Sequence, residues 1–150
     1  MSIRLSTLAI LLAAPLLASA EGPANEMSVA HSTQDSTLQW GPCPPFIPKG
    51  CEIAVLHGDP GKPNVDVFFK VPGGFDIPNH WHTSAERMTL SSGQMTVQYE
   101  GQAPVTLKPG MYAYGPAKLP HKASCAKGHD CVLFIAFESP LDAHEVVARK

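Results

Sequence analysis

Charge is scarce in this sequence: Asp, Glu, Lys and Arg make up 16% of its 150 residues, against roughly 25% in an average domain. A disordered chain is excluded, because disorder needs low hydrophobicity and 44% of the residues are hydrophobic. Basic residues are not in surplus. The formal net charge is −2, so little is available to neutralise phosphates and no nucleic-acid partner is expected. The sequence lacks G-x-G-x-x-G, a P-loop and G-x-S-x-G, which removes the common nucleotide and serine-hydrolase signatures. It has no internal repeat and no low-complexity tract. Its four cysteines include no C-x2-C pair, so a thiolate zinc site is not expected.

Proline, by contrast, is abundant, with 15 residues, about twice the usual 5%. A helical bundle cannot absorb this, because proline inside a helix removes a hydrogen bond and clashes with the preceding turn. Short strands joined by Gly/Pro turns can. Val65, Val67, Phe69 and Val71 alternate, as do Met95, Val97 and Tyr99, and then Val105 and Leu107. Gly58–Pro63, Pro72–Gly74 and Pro109–Gly110 punctuate them. Cys131–Phe137 reads as a central strand, and only Leu141–Ala148 has room for a short helix. This pattern predicts an all-β sandwich or small barrel.

The N-terminus reads as a secretory signal peptide. Arg4 supplies positive charge, Leu5–Leu17 is apolar and contains Pro15, and Ala18-Ser19-Ala20 is a small-residue cleavage site. The apolar run is short for a membrane span of about 20 residues. The expected division is a signal peptide at 1–20, a flexible leader at 21–36 and one domain at 37–150, secreted or periplasmic, with no membrane association after cleavage. Export permits disulfides. The turn-like segments between them favour the adjacent pairs Cys43–Cys51 and Cys125–Cys131, although four cysteines allow three connectivities.

The chemistry concentrates between Gly74 and His121. His80 and His82 are two apart, which on a strand puts both imidazoles on one face. Glu86 can open the next strand, and His121 follows Gly115-Pro116 and Pro120. Three histidines and a carboxylate suit a divalent transition metal with open positions, whether Fe, Mn, Ni, Cu or Zn. By alternation Pro78 shares the inward face of His80, Met88 and Leu90 share that of Glu86, and Leu119 and Ala123 that of His121. Trp81 and Arg87 point outward, and Lys118 and Lys122 read as solvated. Met95 and Tyr99 share one face and Tyr112 and Tyr114 another, of undecided direction. His31, His57, His129 and His144 read as surface residues. Metal affinity is expected to fall as pH drops toward the histidine pKa of about 6.5.

These residues resemble the cupin superfamily, as a small secreted single-domain member. Gly74, His80, His82, Glu86 and Gly93 fit the first cupin motif, G-x5-H-x-H-x3-E-x6-G, at every fixed position. The second, G-x5-P-x-G-x2-H-x3-N, is met at Gly110, Pro116 and His121, with Lys118 in place of glycine and Cys125 in place of asparagine. The resemblance spans about Val65 to Phe137. It implies a double-stranded β-helix, or jelly-roll barrel, with His80, His82, Glu86 and His121 as metal ligands. It also implies a mainly apolar pocket for a small molecule. Cupins with such ligands include dioxygenases, oxalate-degrading enzymes and isomerases. A metal-dependent oxidoreductase of dioxygenase type is the expectation, with Glu86 as ligand or catalytic base. The alternatives are an isomerase or decarboxylase, a non-catalytic module binding a small molecule or metal, and a domain serving assembly. Unpaired sheet edges are a liability unless covered, so a homodimer is expected, with Leu38–Trp40 covering a neighbour. Intact-mass measurement of the exported protein should give a chain starting at Glu21; a retained leader would refute the cleavage.

Overall fold

The computed structural model describes residues 27–147. The expected signal peptide, 1–20, lies outside these residues. Eleven strands follow in chain order: β1 (Trp40–Pro42), β2 (Glu52–His57), β3 (Val65–Val71), β4 (Asp76–Trp81), β5 (Glu86–Ser92), β6 (Met95–Tyr99), β7 (Val105–Leu107), β8 (Tyr112–Gly115), β9 (His121–Cys125), β10 (Cys131–Phe137) and β11 (His144–Glu145). They form a six-stranded sheet, β1-β2-β3-β10-β5-β8, and a five-stranded sheet, β11-β4-β9-β6-β7, with every pairing antiparallel. This is an all-β jelly-roll barrel of the expected cupin type. No helix among the described residues is long and apolar enough to cross a membrane.

The apolar alternation of β3 and β10 builds the core. Val65, Val67, Val71 and Cys131 are at most 1% exposed, and Phe69, Leu133 and Ile135 pack with them. Burying a Val, Leu or Phe side chain contributes on the order of 1.5–3 kcal/mol. The outer face of the larger sheet has its own cover: Leu38, Ala54, Phe68 and Val132 form a second cluster, with Trp40 and Phe134 against it. Leu38 and Trp40 therefore pack on their own barrel, and β1 pairs with β2 of the same chain. Within the expected leader, an Asp35-centred turn is present: Asp35 accepts from the Thr37 amide at 2.9 Å and lies 2.9 Å from the His31 ring.

Both disulfides join the adjacent cysteines, with Cα–Cα distances of 5.5 Å for Cys43–Cys51 and 5.9 Å for Cys125–Cys131. Gly93, in the β5–β6 turn, has φ 78°, and a Cβ there would sit 2.7 Å from the Asp130 carbonyl oxygen and 2.8 Å from Cys131 Sγ. The motif glycine thus makes room for the second disulfide. Cys125, which replaces the motif asparagine, is one end of it.

Two local expectations are corrected. Residues 141–148 hold no helix within the described part. They carry β11, which pairs with β4, while His144 stacks on Trp81 at 4.1 Å and Val146 N–H donates to the Asn79 carbonyl. That ring contact and ladder satisfy groups a helix turn would have to satisfy internally. Second, the β4–β9 register shifts between Ile77 and His80. This bulge turns Ile77 into the core, at 4% exposed, and leaves Pro78 half-buried. A bulge inserts a residue and breaks period two, so Pro78 does not share the face of His80.

Lys118 occupies the motif's glycine position with φ 61°, and its N–H donates to the His82 carbonyl at 2.8 Å. The turn keeps the left-handed conformation that glycine adopts freely, at a cost of roughly 1–2 kcal/mol for a residue with a Cβ. Glycine loses more chain entropy on folding, which offsets part of the gain. Lys118→Gly is therefore expected to stabilise by up to about 1 kcal/mol, read as a higher urea midpoint; a lower midpoint would contradict this.

Candidate metal centre

The bulge and the β4–β9 ladder bring the histidines together. His80 on β4 lies directly opposite His121 at the start of β9, with ring centroids 4.2 Å apart. His82 follows the end of β4, 4.9 Å from the His80 ring and 5.4 Å from that of His121. One nitrogen from each of the three falls within 4.8 Å of the others, a group able to hold a metal ion. Glu86 reaches the same point from β5, in the other sheet. Its Oε1 is 3.3 Å from His82 Nε2 and its Oε2 is 3.5 Å from His121 Nε2. All four side chains are buried.

The backbone fixes the tautomers. His80 Nδ1 is 2.7 Å from the Pro78 carbonyl oxygen, His121 Nδ1 is 3.2 Å from that of Leu119, and His82 Nδ1 is 2.5 Å from that of Asp142. A carbonyl oxygen only accepts, so each Nδ1 carries the proton and each Nε2 keeps a lone pair. Backbone orientation of this kind is the usual support of a metal-binding histidine. The donor set fits a divalent transition ion: three neutral imidazole nitrogens and one carboxyl, converging on one point.

Burial sets the protonation. It lowers the pKa of His80, brings His82 to about 4 and His121 to about 3, each from an ordinary 6.5. The same desolvation raises Glu86 from 4.5 to about 8. The Glu86–histidine contacts are thus not ion pairs at neutral pH, but a protonated acid facing neutral imidazoles. This moves the expected pH control of metal binding from the histidines to Glu86, whose proton an incoming cation must displace.

The cluster lies in a cavity of about 460 Å³ inside the barrel, lined by Met88, Ala123 and apolar residues of both sheets. Of the residues expected to face inward, Leu90 is buried in the core and Leu119 contributes its carbonyl, but neither lines the cavity. Trp81 and Arg87 point away as expected. Arg87 pairs with Glu138. Lys118, Lys122, His31, His57, His129 and His144 are exposed.

Two contributors had escaped sequence reasoning. Asp142 holds His82 through its carbonyl across sixty positions, while its carboxylate accepts from the Thr83 amide at 2.8 Å and lies 3.1 Å from His144 Nε2. No motif marks a backbone acceptor that distant. Tyr99, paired with His121 across β6–β9, places its ring 4.7 Å from that of His121. Its hydroxyl is buried with no hydrogen-bond partner among the described residues, and burial, together with Glu86, pushes the phenol's pKa up. A Cβ on Gly115 would collide with this hydroxyl and come within 2.9 Å of Glu86 Oε2. Period two had grouped Tyr99 with Met95 without choosing the inward side.

The cupin-domain family profile matches residues 67–137. The likeness to that family covers just under half of the chain. All four clustered side chains fall inside it, and the Cys43–Cys51 loop and the C-terminal strand β11 are additions at its edges. No curated protein sequence matches the chain. Among solved cupin-like structures, the polyketide cyclase RemF from Streptomyces resistomycificus aligns with a TM-score of 0.64 and 19% identity, over 83% of this chain and 89% of its own. An RmlC-like cupin from Shewanella frigidimarina gives a TM-score of 0.59 and 18% identity, over 75% and 93%. The DMSP lyase DddQ from Ruegeria pomeroyi gives 0.61 and 20%, over 73% of this chain. The chain spans only 61% of that lyase's length. At these identities the likeness is one of fold.

The protonation states predict how metal-free stability depends on pH. The native histidines bind fewer protons than unfolded ones, so their contribution is present above 6.5 and is lost as pH falls toward 4. Native Glu86 holds its proton longer than unfolded Glu86. Its contribution is complete below 4.5 and is lost as pH rises through about 8. Stability of the chelated protein should peak at about pH 6.5–7. Added Zn(II) should convert the alkaline decline into a rise, because the metal takes the ionised carboxylate. Denaturant midpoints from pH 5 to 9, with chelator and with zinc, check both; a metal-free optimum above pH 8 would overturn the Glu86 assignment.

Proposed function

We propose that His80, His82, Glu86 and His121 hold one divalent transition ion, and that the chain is a metal-dependent enzyme of dioxygenase type acting on a small molecule inside the barrel. The observation that carries this is one nitrogen from each of three buried histidines within 4.8 Å of the others, with the buried Glu86 carboxyl beside two of them, in an otherwise apolar cavity. A bound iron, manganese, nickel or copper ion supplies Lewis acidity and an electron route to dioxygen, and zinc supplies Lewis acidity alone.

The chain's own residues do the rest. The three backbone-anchored rings hold their lone pairs in fixed directions, so little reorganisation accompanies substrate entry. The apolar walls exclude water and strengthen every electrostatic interaction at the cluster. Glu86, ionised once a bound cation has displaced its proton, would stand beside the cluster to take a proton from a substrate hydroxyl or C–H.

That last property also favours a second reading, an isomerase, lyase or decarboxylase in which Glu86 acid–base chemistry is the whole reaction. Similar folds include a polyketide cyclase and a DMSP lyase, which supports proton-transfer chemistry as the alternative. Two disulfides with no free cysteine support an exported protein in an oxidising compartment. The exposed Tyr112 and Tyr114 on edge strand β8 support a homodimer.

Elemental analysis of the purified protein should find about one transition ion per chain. His80→Ala or His121→Ala should reduce occupancy at least about tenfold, and the loop variant His129→Ala should keep it. Glu86→Gln should abolish turnover while retaining part of the metal. Oxygen consumption with substrate separates the two readings: uptake supports the dioxygenase, and turnover without uptake supports the proton-transfer enzyme. Full metal content in His80→Ala would sink the site.

A further inference from the structure

We propose that the cavity takes a ligand with an uncharged, apolar body, aromatic or branched alkyl, and a single acidic oxygen head group turned toward the histidine cluster. This deepens the metal-enzyme reading and rests on it for the head group; the apolar body rests on the cavity alone. Five polar side chains line the cavity: His80, His82, Glu86, His121 and Asp142. The first four form the cluster. Asp142 has its carboxylate engaged by the Thr83 amide and by His144. Among the described residues no Lys, Arg, Ser, Thr, Asn, Gln, Tyr or Trp side chain lines the cavity.

The remaining wall comes from both sheets, with Val67, Phe69, Met95, Leu133, Ile135 and Phe137 among its residues. A polyol or sugar would bury several hydroxyls there without partners, and each costs about 1–3 kcal/mol. A small dianion fares worse. Among the described residues no Lys or Arg lines the cavity, so the cluster can pair only one of its charges. The second would be buried with no cation beside it. An apolar body gains where these lose, and about 460 Å³ is the size of a small-molecule pocket. The segment before β2 agrees: Pro42, Cys43, Pro44 and Ile47 line the cavity, and Phe46 lies 6.0 Å from the His80 ring.

The test uses the full chain with and without metal. On Zn(II)-loaded protein, calorimetry compares benzohydroxamate, acetohydroxamate and oxalate, probes that share a metal-seeking head but differ in body and charge. Benzohydroxamate should bind at least about tenfold more tightly than acetohydroxamate, with a negative heat-capacity change, and more tightly than oxalate. Equal affinities for the two hydroxamates, tightest binding by oxalate, or binding of none of the three overturns the proposal. Indole, with no metal-seeking head, is titrated into the metal-free protein. Its binding, weakened by Ala123→Leu or by the milder Val97→Ile, supports the apolar cavity even if no metal is found, and its failure to bind overturns it. Both variants add volume to the cavity wall and replace no residue of the cluster, and a melting curve confirms that each folds. Loss of metal binding with indole binding intact refutes the enzyme reading alone, so the two failures are distinguishable.

Discussion

The carbonyl oxygens of Pro78, Leu119 and Asp142 each take the Nδ1 proton of a buried histidine, and the chemistry of the barrel depends on these three bonds. Without them an imidazole in this cavity is free to present either nitrogen and either tautomer. With them each Nε2 keeps its lone pair, and one nitrogen of each ring lies within 4.8 Å of the others. Two of the carbonyls lie two residues before the histidine they hold, so the strand geometry that places the ring also fixes its proton. The third comes from the C-terminal segment, which makes that segment part of the site rather than a trailing end.

Burial then arranges the charges. Desolvation disfavours any ion in the cavity, so it pushes imidazole pKa values down and the Glu86 pKa up at the same time. The metal-free cluster is neutral as a result, which is how four ionisable groups can sit together in an apolar barrel without mutual repulsion. A cation reverses the balance by favouring ionised Glu86. Protein stability, proton release and metal affinity are therefore linked through one carboxyl.

The two sheets divide the work. The five-stranded sheet supplies His80 and His121 across the β4–β9 ladder, and the six-stranded sheet supplies Glu86 from β5. The cluster forms only when the sheets close. Gly93 and Gly115 illustrate the tolerance involved: at the first a Cβ would strike the Cys125–Cys131 disulfide, and at the second it would strike Tyr99 and approach Glu86. The additions outside the family match serve the same centre. Residues around Cys43 line the cavity, while Asp142 and β11 brace His82 and Trp81.

Much of this was legible in the residues themselves. Alternating apolar positions and Gly/Pro turns require strands, because a side-chain period of two has no other regular solution. Cysteines six and eight apart pair across turns, as the turn-like segments between them favoured. The spacing of His80, His82 and Glu86 is local, so it survives in the linear order. What the sequence could not carry were effects of distant chain and of solvent exclusion. A bulge moved Pro78 off the inward face, because the ladder's register is set by both strands. A backbone carbonyl has no residue signature, so Asp142 as the partner of His82 was invisible. The pH control passed from histidine to Glu86 because desolvation belongs to the closed barrel and not to any residue type. The sequence by itself determined that three histidines and a carboxylate occur at spacings strands can bring together; only the tertiary structure decided which nitrogen each ring presents and which group holds the proton, because burial and long-range hydrogen bonds exist only once the sheets have met.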